Sequence, residues 1–141
     1  MFSNNIRSNF GYLNRCEDNE GGRDKLAIQK GRRVFKEVVP VAVSLITDHL
    51  KELNIPIENI KRFWLHQANG PMNQLILKYL LGRDASQEEA PLILDEYANT
   101  SSSGVFIAFN KHHGDFKSGD LGIISAFGAG YSAGCMTVKK I

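Results

Sequence analysis

Three short apolar runs, each breaking into a polar or glycine-rich turn and spaced by stretches of helical length, constrain this chain to an α/β sheet. Ile60 to Leu65 breaks into His66-Gln67-Ala68-Asn69, and Pro91 to Leu94 leads to Asn99-Thr100-Ser101-Ser102-Ser103-Gly104. Leu121 to Ala126 runs into Phe127-Gly128-Ala129-Gly130-Tyr131. Open α/β sheets bind ligands beyond such strand ends. His66, Asn99 and Gly128 are therefore the first candidates for chemistry.

The intervening stretches read as helices. Between Lys30 and Leu53, Val34, Phe35, Val38, Val39, Ala42, Leu45, Ile46 and Leu50 recur at steps of three and four, which gives one apolar face. Pro40 lies inside it and either kinks one helix or opens a second as its first residue. Pro71 to Leu81 predicts a helix with Pro at its first position and Gly82 just past its end. A helix from about Ser102 to His112 follows the Asn99 turn. Lys117-Ser118-Gly119-Asp120 marks a turn before the Leu121 run, and Ala133 to Lys139 closes the chain as a strand in hairpin with it. The predicted order is helix, then β-α-β-α-β-β, in a mixed sheet covered by helices. Residues 1–28, with Gly11, Gly21, Gly22 and the acidic run Glu17 to Glu20, read as a long irregular segment, and 29–141 as the folded domain.

A chain of 141 residues, 43% hydrophobic and 23% charged, is one ordinary soluble domain. A net charge of +2 without a basic cluster excludes a nucleic-acid surface. No apolar stretch spans a bilayer and no secretory signal opens the chain, so a cytoplasmic location is expected. Cys16 and Cys135 suit a reducing compartment, and no CxxC or zinc spacing is present.

Several motifs lose to plainer readings. Gly130-Tyr131-Ser132-Ala133-Gly134 fits the nucleophile elbow of hydrolases, but the seven residues after it hold neither acid nor His and leave no room for a helix. Gly128-x-Gly130 lacks the βαβ unit of a dinucleotide site. His112 and His113 close a helix as cations rather than bind metal, and His49 faces solvent. The sequon at Asn99 never meets the glycosylation machinery. Neither cysteine precedes a helix whose dipole would activate it. By contrast, His66 and Asn99 side chains with a backbone N–H at the Gly128 turn supply the donors that stabilise an oxyanion or enolate, which suggests carbonyl chemistry.

Leu65-His66-Gln67-Ala68-Asn69, Asn99-Thr100-Ser101 and Ala126-Phe127-Gly128-Ala129-Gly130, in this order, resemble the C-terminal half of β-ketoacyl-acyl-carrier-protein synthase III. The resemblance covers roughly residues 25 to 141. It implies half of a thiolase-like five-layer α-β-α-β-α sandwich. It also implies an acyltransferase that condenses an acyl-CoA primer with malonyl-acyl-carrier protein at the start of fatty-acid synthesis. His66 and Asn99 then match the catalytic His and Asn, and Gly128 the turn whose amide binds the thioester oxyanion. Gln67, Ala68 and Asn69 shape the turn. No cofactor is implied, only CoA and phosphopantetheine-linked substrates.

Two positions depart from the family pattern: Ala98 stands where Gly usually precedes the Asn, and Pro71 stands where many members carry an Arg that engages the carrier. The nucleophilic Cys belongs to the other half and has no counterpart here. The chain alone is therefore expected to be inactive, with its own N-terminal half and a second copy in a homodimer as partners. A non-catalytic partner subunit or carrier-binding module, and a related polyketide, alkylquinolone or hydroxymethylglutaryl-CoA synthase, are the alternatives.

Overall fold

The computed structural model describes residues 31–128 and 132–141. The irregular segment expected over 1–28, Cys16, and the turn residues Ala129, Gly130 and Tyr131 lie outside the described residues.

Helix α1 runs Gly31–Glu52 as one element with Pro40 inside it, so the continuous alternative holds. Pro40 is exposed, and its missing N–H removes one intrahelical bond on the solvent side. Val38, Val39, Ala42, Ile46 and Leu50 form the buried face. Asn54, at φ 54°, ends the helix in the left-handed region. A 3-10 turn, Ile57–Asn59, leads into β1, Ile60–Leu65.

Helix α2, Gly70–Leu81, begins where the Asn69 side chain accepts the Met72 N–H (3.1 Å) and ends at Gly82, φ 70°. Pro71 sits at its start, where a missing N–H costs nothing. Then come the single helical turn α3, Leu94–Tyr97, helix α4, Ser103–Lys111, and the strands β2, Leu121–Gly128, and β3, Ser132–Lys139. The sheet order is β1-β2-β3, with β1 parallel to β2 and β2 antiparallel to β3. Among the described residues, no helix is long and apolar enough to cross a membrane.

Alternation along β1 sorts the core into two layers. Phe63 and Leu65 join Ile123, Ile46 and Ile76 on the side of α1 and α2. Trp64 faces the other way, against Ile93, Val105, Ala108 and Ile124 on the side of α4. One step of the strand separates the two sets, as period-2 geometry requires.

The strand expected at Pro91 to Leu94 is not one. Ala90, Pro91 and Ile93 are buried, but the backbone here pairs with a side chain. Gln67 accepts the Ile93 N–H (3.0 Å) and donates to the Pro91 carbonyl (3.3 Å). An apolar run reads the same in sequence whether a strand or a buried amide satisfies its backbone. His49 also differs from expectation: it is half-buried, its Nε2 3.1 Å from Thr137 Oγ1 on β3.

In the first half of β1, the Arg62 guanidinium grips the Asp115 carboxylate with both terminal nitrogens and donates to the His112 and Glu88 carbonyls. Lys61 pairs with Asp120. These cations hold the Asp115 and Asp120 carboxyls below the ordinary range and tie the 112–120 segment to the strand.

Gly122 is where the sheet tolerates no side chain. A Cβ there would lie 2.3 Å from Trp64 Cζ3 and 3.2 Å from the Arg62 carbonyl. Gly122→Ala is expected to destabilise by about 1–3 kcal/mol, because the rigid indole cannot yield without moving α4. Gly114→Ala, with nothing within 4 Å, is the control. Equal urea midpoints for the two variants would refute this account of the Trp64 contact.

Candidate active site at the ends of β1 and β2

The parallel pairing Leu65↔Ser125 brings the C-terminal ends of β1 and β2 to one edge of the sheet. His66 follows β1 directly and is 5% exposed. Its ring lies 4.5 Å, centroid to centroid, from that of Phe127, the residue before Gly128. Burial pushes the imidazole pKa below its ordinary value, so His66 is neutral at neutral pH. Its Nδ1 is buried and has no hydrogen-bond partner among the described residues. The His66 carbonyl is held twice, by the Ala68 N–H (3.1 Å) and by Asn73 Nδ2 (3.1 Å).

Asn99 reaches this edge by another route. It is exposed, and its Oδ1 accepts the Ser101 N–H at 2.9 Å, which leaves the Nδ2 end of the amide as its donor. No hydrogen bond joins Asn99 to His66 directly. Their loops meet instead around Gly104 in the first turn of α4. A Cβ built there would lie 2.9 Å from Gln67 Cβ and 3.1 Å from Thr100 Oγ1. The absence of a side chain at Gly104 is thus what lets the residue after His66 and the residue after Asn99 close on the same point.

Gly128 ends β2 opposite Ser132, and a Cβ there would meet nothing within 4 Å. Cys135 is a half-buried residue of β3 whose thiol burial pushes up to about 12, so it is no thiolate at neutral pH. His112 caps the C-terminus of α4, while His113 Nδ1 lies 3.0 Å from the Phe109 and Asn110 carbonyls and its ring stacks on Phe109. In the sequence Gln67 reads only as a turn former, and Asn73 and Gly104 carry no signal of their own. Asn69 before Pro71 was a readable helix-start signal, whereas the partners of Gln67 and Asn73 are set by tertiary packing.

Residues 50–140 match the family described as 3-oxoacyl-acyl-carrier-protein synthase III C terminal. The chain belongs to this family. It is 56% identical over 141 residues to the β-ketodecanoyl-acyl-carrier-protein synthase of Pseudomonas aeruginosa, covering 99% of this chain and 40% of that protein. It is 31% identical over 111 residues to the β-ketoacyl-acyl-carrier-protein synthase III of Lactobacillus delbrueckii, covering 77% of this chain and 34% of that one. The crystal structure of the synthase III of Thermus thermophilus superposes with a TM-score of 0.72 at 25% identity, over 80% of this chain and 35% of that one. The chain thus spans about two-fifths or less of the length of these relatives. Its fold is that of the C-terminal half of a thiolase-like condensing enzyme.

The departure at Ala98 acquires a physical meaning in this synthase III domain. Ala98 has φ 52° and ψ −158°, a region that glycine enters freely and alanine enters at a cost of about 1–3 kcal/mol. The strain sits directly before Asn99. Ala98→Gly is expected to stabilise the protein by about 1 kcal/mol, the relief being partly offset by the greater freedom of glycine in the unfolded chain. An unchanged or lowered urea midpoint would count against the strain.

The buried imidazole also sets a pH dependence. With the folded pKa of His66 below the ordinary 6.5, the unfolded chain takes up the proton first as pH falls. The stability this contributes is complete above 6.5 and is lost as pH drops toward the folded value. The depressed carboxylates, Glu89 at about 2 and Asp120 below its ordinary 3.8, titrate lower still and leave this window clear. Urea unfolding at pH 7.5 and 5.5 should show wild type losing more stability than His66→Gln. Equal losses would place His66 in water rather than in the core.

Proposed function

We propose that this chain is the C-terminal catalytic half of a decarboxylating condensing enzyme that joins an acyl-CoA primer to malonyl-acyl-carrier protein at the start of fatty-acid synthesis. The observation that carries the reading is a buried, neutral His66 whose turn is packed through Gln67 and Gly104 onto the loop of Asn99. In this reading the neutral imidazole donates through Nε2, and the Asn99 carboxamide, its Oδ1 already engaged, donates through Nδ2, which makes two uncharged donors. Such donors suit an enolate oxygen that gains charge only as the reaction proceeds.

In this mechanism the acyl group of the primer is first carried by a Cys of the N-terminal half. The bond between the malonyl carboxylate and its α-carbon breaks, carbon dioxide leaves, and the electron pair passes into the thioester carbonyl. His66 and Asn99 donate to the resulting enolate oxygen. The enolate carbon attacks the acyl-Cys carbonyl, the Gly128 amide donates to the oxyanion, and collapse expels the Cys thiolate. CoA and phosphopantetheine thioesters enter as substrates, and no further cofactor takes part. The partners are the N-terminal half and, by family likeness, a second copy in a cytoplasmic homodimer. The name of the Pseudomonas relative supports a medium-chain primer two carbons shorter than a decanoyl product.

Within the complete enzyme, His66→Ala and Asn99→Ala should each lower carbon dioxide release from malonyl-carrier protein by about 10²–10³, the usual effect of losing one preorganised donor. Primer transfer to the Cys, followed by intact mass spectrometry, should persist in both. The double variant should lose little more than either single one, because the two residues act as a unit. Wild-type carbon dioxide release by His66→Ala would make this a structural histidine and overturn its assignment as an enolate donor.

A further inference from the structure

We propose that Gln67 is the positioning residue that sets the spacing of His66 and Asn99, a role that rests on the catalytic reading above. Gln67 is fully buried and so touches no substrate. Its amide is nevertheless completely engaged: Nε2 donates to the Leu65 carbonyl (2.9 Å) and the Pro91 carbonyl (3.3 Å), and Oε1 accepts the Ile93 N–H (3.0 Å). A side chain here does the work of a neighbouring strand.

The anchored residue is not arbitrary. Ile93 is the N-cap of α3, and its carbonyl accepts the Glu96 and Tyr97 N–H groups (3.2 and 3.0 Å). That single turn leads through Ala98 directly to Asn99. The Gln67 stem also takes part, since its Cβ and Cγ converge with Thr100 Oγ1 on the bare Cα of Gly104. Gln67 therefore meets the segment bearing Asn99 on both sides, by hydrogen bonds before it at Pro91 and Ile93 and by packing against Gly104 after it, where Thr100 Oγ1 also converges. It is bonded covalently to His66, whose carbonyl is pinned from the other direction by Asn73.

The chemistry of the three bonds selects the residue. Leu would fill the volume but remove the hydrogen bonds to one buried N–H and two carbonyls. Glu would keep the acceptor for Ile93 while setting an oxygen against two carbonyls. Asn has the right groups and is one methylene short. A displacement of the Asn99 turn by a fraction of an ångström would misalign the two donors on the enolate oxygen while leaving the Cys and the Gly128 amide untouched.

The test compares Gln67→Asn, Gln67→Glu and Gly104→Ala in the complete enzyme, with His66→Ala alongside. Gly104→Ala changes no hydrogen-bonding group and displaces Gln67 from the opposite side. For each variant, primer acylation is followed by intact mass, carbon dioxide release by kcat and KM for malonyl-carrier protein, and folding by thermal unfolding. In the folded variants kcat for carbon dioxide release should fall by about 10²-fold, the usual effect of a misplaced reacting group, with KM and primer acylation within about twofold of wild type. Wild-type kcat in folded Gln67→Glu and Gly104→Ala would overturn the proposal. So would loss of acylation and of folding in step with kcat across all three variants, which is the pattern of a packing residue. If His66→Ala itself releases carbon dioxide at the wild-type rate, the catalytic reading falls. If His66→Ala is inactive while the Gln67 and Gly104 variants are not, only the role of Gln67 falls.

Discussion

Parallel pairing of β1 with β2 is the constraint on which the rest of this domain depends. Two strands joined in parallel must send the chain back across a face of the sheet, and α2, α3 and α4 make that return between Leu65 and Leu121. The same geometry puts both C-terminal ends at one edge, so His66 and Phe127 become neighbours although sixty residues of chain separate them. The close fit of Trp64 onto Gly122 fixes how nearly α4 approaches the sheet. That approach in turn decides where Gly104 and the Asn99 loop come to rest. A bulkier residue at either point would widen the layer that the candidate site needs closed.

Side-chain amides then do what backbone does elsewhere. Asn69 caps α2, Asn73 holds the His66 carbonyl, Gln67 pairs with residues 91–93, and Asn99 closes its own turn on Ser101. Each is a short, uncharged group able to donate and accept in one plane, so irregular backbone can be buried near the site without leaving unpaired N–H groups or carbonyls. Turns satisfied in this way are rigid for a local reason. Under the proposed function, the donors they carry would be aimed before any substrate arrives.

Much of this was legible in the residues. The bounds of β1 and of α2 follow from an apolar run, a Pro at a helix start and a Gly just past its end, all of which act within one or two turns of chain. The hairpin of β2 and β3 is equally local. Legibility ends where the partner is distant. Pro91 to Leu94 carries a strand-like sequence, and only the arrival of Gln67 across the fold makes it irregular. His49 looks solvated until Thr137 is packed beside it. For the site, residue type and position at a strand end pointed to His66 and Asn99. Nothing in the string revealed that Ala98 occupies glycine's conformation or that Gly104 is the point of closure, because both depend on backbone geometry fixed by tertiary packing.

The two ends of β1 divide the electrostatic labour. Lys61 and Arg62, with Asp115 and Asp120, gather the formal charges around the start of the strand, where Phe116 also lies against both cations. The far end holds a desolvated neutral imidazole, buried amides and the Phe127 ring. If the site performs the proposed decarboxylation, a fixed cation beside it would bind the malonyl carboxylate and lower the ground state along with the transition state, opposing the loss of that carboxylate as carbon dioxide. Neutral donors avoid this. Under the proposed function such donors would interact weakly with an uncharged thioester carbonyl and strongly with the enolate that replaces it, so that the stabilisation would be concentrated at the step where charge reaches the carbonyl oxygen. The charged network, built on Lys61 and Arg62 in the first half of β1, can then serve folding alone.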